Sequence, residues 1–252
     1  MDAESQDAEI VKGMFRPECR PPSLVVKPGV GLFFLCTHRH TASNTNGQTL
    51  RNITMVQPPR VTIHADESCL GNQFESRANP GGAAGLVEFW KGEKWERRDF
   101  WHSESDTTNN RMAIRSAIEG LTLLKRPCIV RFVSDSQYLI RGMNEWVRGW
   151  KAKGWKRKGG PPENLQLWQE LDKVAARHRL EWSWVRGHIG HPRNEFANYL
   201  ATTAAKEQSS SPGFVNSGFV AWLEKQREDR GLYLDFFEDL LPGEDGFPPP
   251  VP

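Results

Sequence analysis

Between Arg60 and Lys206 the spacing of apolar side chains switches from a period of two to one of 3.6 and back. Neither an all-helical nor an all-β fold accommodates that. Val61–Asp66 alternates apolar and polar side chains, as a half-buried strand does, and ends on an aspartate. Ala83–Lys91 and Lys94–His102 follow as strands joined at Gly92–Glu93, a hairpin connection. Thr107–Leu124 then sets Met112, Ile114, Ala117, Ile118, Leu121 and Leu124 on one helical stripe; Thr107 or Thr108 can cap it and Pro127 stops it. Ile129–Val133 is a short β-branched run suited to a central strand, ending at Ser134–Asp135. Short helices are expected over Ser136–Lys153, a longer one over Asn164–Arg177, a fifth strand over Leu180–Val185 and a closing helix over Pro192–Lys206. The expected fold class is α/β, a five-stranded mixed sheet with helices on both faces.

The flanks read differently, giving three regions: 1–59, 60–206 and 207–252. Residues 1–59 sustain neither period and carry Pro17, Pro21, Pro22 and Pro28, which suggests a weakly ordered arm with one short strand around Gly31–Cys36. Residues 207–252 break at Ser209-Ser210-Ser211-Pro212-Gly213. Beyond that, Phe219–Arg227 suits an amphipathic helix and Leu232–Leu241 a second apolar, acidic stretch, a small helical extension. Its aromatic side chains (Phe214, Phe219, Trp222, Tyr233, Phe236, Phe237) call for a surface to dock on, either this chain's own domain or a protein partner.

Charge separates the regions too. Residues 60–206 hold 24 Lys/Arg against 17 Asp/Glu, whereas residues 207–252 hold 3 against 9. A basic middle suits a polyanionic partner. Four scattered cysteines fit reduced thiols, the acidic first residues carry no export signal, and the longest apolar run, Val30–Cys36, is too short to span a bilayer. A cytoplasmic location away from membranes is expected.

Six blocks stand in order across the middle region. They are Asp66-Glu67-Ser68-Cys69-Leu70-Gly71-Asn72, Pro80-Gly81-Gly82, Thr107-Thr108-Asn109-Asn110-Arg111-Met112, Ser134-Asp135-Ser136-Gln137-Tyr138, the Trp/Lys-rich segment Trp146 to Trp155, and Val185-Arg186-Gly187-His188-Ile189-Gly190-His191-Pro192. Together they resemble type 1 ribonuclease H of the bacterial kind. The resemblance implies an endonuclease that hydrolyses the RNA strand of RNA–DNA hybrids with Mg2+ or Mn2+. In-line attack on a phosphodiester places charge on the attacking and leaving oxygens, and divalent ions held by carboxylates can stabilise both.

By that resemblance, Asp66 and Asp135 are metal ligands, while two of the family's four carboxylate positions are replaced, by Ala113 and Asn198. Asn198 can still offer a carbonyl oxygen. Glu67 is the one surrogate carboxylate in view, although neighbours on a regular strand point to opposite faces, so it reaches the site only if the strand turns. Both aspartates are expected to lie close together and to reach solvent, and burial of either one counts against the nuclease reading. His188 corresponds to the loop histidine that assists proton traffic or product release. Asn72, Asn109, Asn110 and Gln137 match amides that read the minor groove, with Asn79 a substitute for Asn72. Trp146, Trp150, Lys151, Lys153, Trp155 and Lys156 match the basic protrusion, a phosphate track interleaved with indoles. Two functions stay open: a nuclease of reduced activity, or a hybrid-binding protein that no longer cuts.

Overall fold

The computed structural model describes residues 39–43, 49–53, 57–71, 79–187 and 190–249. It divides into two compact units, Met1–Pro58 and Pro59–Pro252. In the first, β1 (Arg39–Ser43) and β2 (Thr49–Ile53) pair as an antiparallel hairpin. The strand expected around Gly31–Cys36 lies outside the described residues.

The second unit is a six-stranded mixed sheet. β3 (Arg60–Cys69), β4 (Gly81–Lys91) and β5 (Lys94–Glu104) run antiparallel, and β6 (Ile129–Ser134) and β7 (Arg179–Trp184) lie parallel beside β3. The spatial order is β7-β6-β3-β4-β5-β8. The sixth strand, β8 (Val215–Asn216), comes from the C-terminal extension and pairs with β5 at Arg98 and Asp99. Two residues are too few for any periodicity, so a sheet of five was the natural expectation.

The helices are α1 (Asn109–Leu123), α2 (Gln137–Arg141), a π-helical turn Gly142–Trp146, α3 (Val147–Ala152), α4 (Leu165–Ala175), α5 (Pro192–Glu207) and α6 (Phe219–Arg230). Thr108 caps α1 by accepting the Arg111 N–H. At α5, the His191 ring accepts the Asn194 N–H and Pro192 opens the helix. Burial holds the His191 pKa down at about 4. It is therefore neutral at pH 7 and keeps the lone pair that this cap needs.

Two glycines show how the faces divide. A side chain at Gly81 would strike Thr107 and Met112 of the α1 region, and one at Gly82 would strike the Ala201 carbonyl of α5. α1 covers one face of the sheet and α5 the other. On the α5 face, Leu86 and Phe196 form one core with Phe219, Leu223 and Phe236 of the extension. Burying each such side chain contributes about 1.5–3 kcal/mol. The extension packs on its own domain, and this accounts for its aromatic density. Residues 232–249 form turns and extended segments rather than a second helix.

Asp99, buried in β5, fastens the start of α6: the Ser217 hydroxyl donates to Oδ1 at 2.6 Å and the Gly218 N–H to Oδ2 at 2.8 Å. Burial still raises its carboxyl from 3.8 to about 6. A folded pKa above the unfolded one means a contribution to stability that is complete below pH 3.8 and lost as pH rises through 6. The unfolding free energy of the wild type minus that of Asp99→Asn should therefore fall by about 2–3 kcal/mol between pH 3.5 and 7.5. Denaturant titrations at several pH values measure this difference, and a flat difference refutes it.

Candidate functional site

The site begins where two parallel strands part. β3 and β6 pair only as far as His64 and Val133; β6 then ends, while β3 stays paired with β4 to Cys69. From Ala65 onward, β3 has one open edge. Asp135 follows β6 directly, and Ser136 turns the chain into α2 by capping it.

Into this gap come three carboxylates. One oxygen from each of Asp66, Glu67 and Asp135 lies within 4.8 Å of the others. Asp66 faces α5, where buried Asn194 donates to its Oδ2 at 3.3 Å, and the Glu67 N–H donates to its Oδ1 at 2.7 Å. Glu67 lies on the α1 face, as adjacent strand residues must. No turn of the strand is required to bring it in. With no neighbour on the open edge, side chains from both faces reach round it toward Asp135. The requirement of a turning strand was too strict.

Asp66 is only 4% exposed, contrary to the expectation that both aspartates reach solvent. Glu67 and Asp135 are half-buried and form the open side of the cluster. Burial, helped by the Asp135 charge, pushes Asp66 up to about 8. Burial and both aspartates raise Glu67 well above the usual carboxylate range. Glu67 Oε2 is buried with no hydrogen-bond partner. Acceptor-only oxygens crowded in this way are what a hard divalent cation binds, so the residues fit the ion that the sequence implies.

The surroundings are equally specific. A side chain at Gly187 would meet Asp135 Oδ2 at 2.0 Å and would have to displace that carboxylate. Trp184 Nε1 donates to the Asp135 carbonyl at 3.0 Å. The N-terminal region of α1 lies at this end of the sheet, with Thr107 against Gly81, and helix N-termini favour anions.

Of the other expected residues, Asn198 is half-buried on α5, one turn beyond Asn194 and on the same helical face. Ala113 is fully buried on α1. Asn109, Asn110 and Gln137 are exposed at the first turns of α1 and α2. Asn79 uses its amide locally: Oδ1 accepts the Gly71 N–H and Nδ2 donates to the Thr107 carbonyl. Asp106 accepts the Asn79 N–H, fixing the same loop. His188 and Asn72 lie outside the described residues.

In the basic segment, Trp146 and Trp150 are half-buried in a chain of ring contacts with Tyr138 and Trp168. Tyr138, Trp146, Trp150, Arg157, Pro162 and Glu163 line a cavity of about 340 Å3. Lys153 and Lys156 are exposed, Trp155 is half-buried, and Lys151 pairs with Asp172 at 2.8 Å. Asn194, whose amide donates to Asp66, is the residue that sequence reasoning missed. Asn194 had a signal: it stands four residues before Asn198 on a helix.

The ribonuclease H family model matches residues 58–206. Ribonuclease H of Stutzerimonas stutzeri strain A1501 is 46% identical over 153 residues, 60% of this chain and 95% of that protein. Ribonuclease HI of Caulobacter vibrioides is 44% identical over 150 residues, 59% of this chain and 95% of that protein. A crystal structure of LC9-RNase H1, a type 1 RNase H with the type 2 active-site motif, has a TM-score of 0.68 at 43% identity. It covers 78% of this chain and 94% of that one, a larger share than residues 58–206 span.

The raised carboxyls set a sign for metal binding. Without a cation, the Asp66 contribution to stability is complete below pH 3.8 and lost as pH rises through 8. A cation must displace the protons held near neutrality. Millimolar Mn2+ should therefore raise Tm more at pH 8.5 than at pH 6.5 and release protons on binding. Calorimetry in two buffers of different ionisation enthalpy counts them; a pH-independent Tm shift without proton release counts against the cluster as the binding site.

Proposed function

This chain belongs to the ribonuclease H family, a family of endoribonucleases, and on that premise we propose that it hydrolyses the RNA strand of RNA–DNA hybrids. Asp66, Glu67 and Asp135 would hold Mg2+ or Mn2+, with the Asn198 carbonyl oxygen as a further, uncharged ligand. The observation that carries this reading is the trio of carboxylate oxygens within 4.8 Å at an open strand edge. When bound, divalent cations activate water and stabilise the attacking and leaving oxygens of a displacement.

The chain's own residues do the remainder. Glu67 supplies the negative charge that Ala113 does not, from the sheet face that α1 also covers. Asn194 orients the Asp66 carboxylate through its amide. Position 198 stays neutral, so the site carries one charge fewer than a four-carboxylate site, and we assign it weakened ion affinity and reduced turnover. His188 serves the proton that the leaving oxygen needs.

Substrate binding is assigned to exposed amides at the rim, Asn109, Asn110 and Gln137, together with Asn72. A hybrid's wide minor groove presents 2′-hydroxyls that amides can both donate to and accept from. Trp146, Trp150, Trp155, Lys151, Lys153 and Lys156 follow the phosphates of the other strand. Among the described residues no helix is long and apolar enough to cross a membrane. We place the protein in the cytoplasm, where its substrate would arise.

Purified full-length chain should cleave a labelled hybrid in Mn2+ or Mg2+, and Asp135→Asn should abolish products. Glu67→Gly should lower the rate by about 100-fold or more, roughly 2.7 kcal/mol of barrier. Ala113→Glu added to that variant should restore part of it by returning a carboxylate from the α1 face. Salt-dependent binding without products in the wild type would assign the chain to the non-cutting alternative. Full activity in Glu67→Gly would remove Glu67 from the site.

A further inference from the structure

We propose that Arg193 is a positioning residue through which the C-terminal extension holds Asn194 against the acidic cluster. The inference rests on the reading that Asp66, Glu67 and Asp135 bind a divalent cation. It assigns to residues 219–239 a role in setting that cation's affinity.

The chain of contacts is continuous. Glu88 of β4 is fully buried and held by two arginines: Arg97 Nε at 2.9 Å from Oε1 and Arg193 Nε at 2.5 Å from Oε2. Arg193 is 3% exposed and belongs to the first turn of α5. Phe236 lies under its guanidinium, 4.9 Å from ring centroid to Cζ. Arg97 donates to the Glu238 carbonyl and to Asp239 Oδ1, and lies over Phe219 at 5.7 Å. Four residues of the extension thus close over one buried carboxylate and its two cations.

This cover has a physical purpose. A buried ion pair holds its geometry only when its remaining hydrogen-bonding capacity is met and water is kept out. The extension does both. The next residue after Arg193 is Asn194, itself 1% exposed, whose amide donates to Asp66. The first turn of a helix lacks intrahelical partners for its N–H groups and is where the helix loosens most easily. In α5 that turn is pinned by the His191 cap at one point and by Arg193 at another. Loosening the Arg193 anchor lets the Asn194 amide leave Asp66, and a ligand that loses its orienting hydrogen bond binds metal about 10- to 100-fold more weakly.

The test uses the full chain. Calorimetry with Mn2+ alone reads ion affinity, and hybrid cleavage separates kcat from KM. Glu88→Gln/Arg193→Met removes both charges at similar volume and should lower Mn2+ affinity about tenfold. It should also lower kcat while leaving KM for the hybrid unchanged. Phe236→Leu, which keeps an apolar side chain but removes the ring face, should give about a threefold loss in the same direction. Arg193→Lys should recover most of the affinity. Far-UV circular dichroism reports folding; if the double variant does not fold, Phe236→Leu decides by the same two readouts. Wild-type affinity in a folded variant overturns the positioning role alone. Absence of Mn2+ binding in the wild type, or binding that survives Asp135→Asn, overturns the cation reading and this inference with it.

Discussion

A parallel strand that ends while its neighbour continues leaves that neighbour one unpaired edge, and the unpaired edge of β3 is where three carboxylates meet. Everything specific about the site follows from that offset. Like charges 4.8 Å apart repel by about 3–4 kcal/mol per pair at an effective dielectric near 20. Three pairs fully ionised would oppose folding by about 10 kcal/mol, the size of a whole domain's net stability. The cluster cannot stand fully charged and alone. It is either partly protonated, as the raised Asp66 and Glu67 express, or compensated by a cation.

The same economy of charge explains the acidic extension. Glu238 pairs with Arg227, Asp239 with Arg97 and Asp245 with Arg131. Three of the extension's nine acidic side chains are therefore matched by arginines of its own unit. Its apolar side chains complete a core on the α5 face that would otherwise expose Leu86 and Phe196. The 78% coverage by LC9-RNase H1 means that the likeness in that structure reaches past the segment matched by the family model.

Periodicity made β3 to β7 and the main helices legible, because each buries one face against a neighbour and must repeat accordingly. It missed β8, whose two residues are held by register with Arg98 and Asp99 and not by a pattern of their own. At the site, Asp66 and Asp135 were legible as aspartates closing apolar runs, although β3 continues past Asp66 to Cys69 instead of ending there. Glu67 was nearly excluded by a correct rule about strands, because that rule says nothing of where the adjacent strand stops. Arg193 was invisible as a functional residue, and Asn194 was marked only by its place one turn before Asn198, for a related reason. Their roles come from contacts across more than 100 positions of sequence, to Asp66 and Glu88. No local spacing encodes those.

The elements assigned to cutting and to gripping are supported separately. The carboxylates assigned to cutting are carried by the open edge of β3, by the residue after β6 and by the first turn of α5 that supports Asp66. The indoles of the basic segment rest on Trp168 of α4, against which Gly142 packs so closely that an added side chain would overlap the ring. Trp168 and Asn164 both donate to the Tyr138 hydroxyl, tying α2 to α4 beneath Trp146. None of these contacts involves Asp66, Glu67 or Asp135. A change in the charge of the cluster therefore leaves the aromatic platform's own contacts standing. Under the proposed reading, that separation makes Ala113 and Asn198 compatible with an intact binding surface, and a carboxylate at position 67 requires no change in the protrusion.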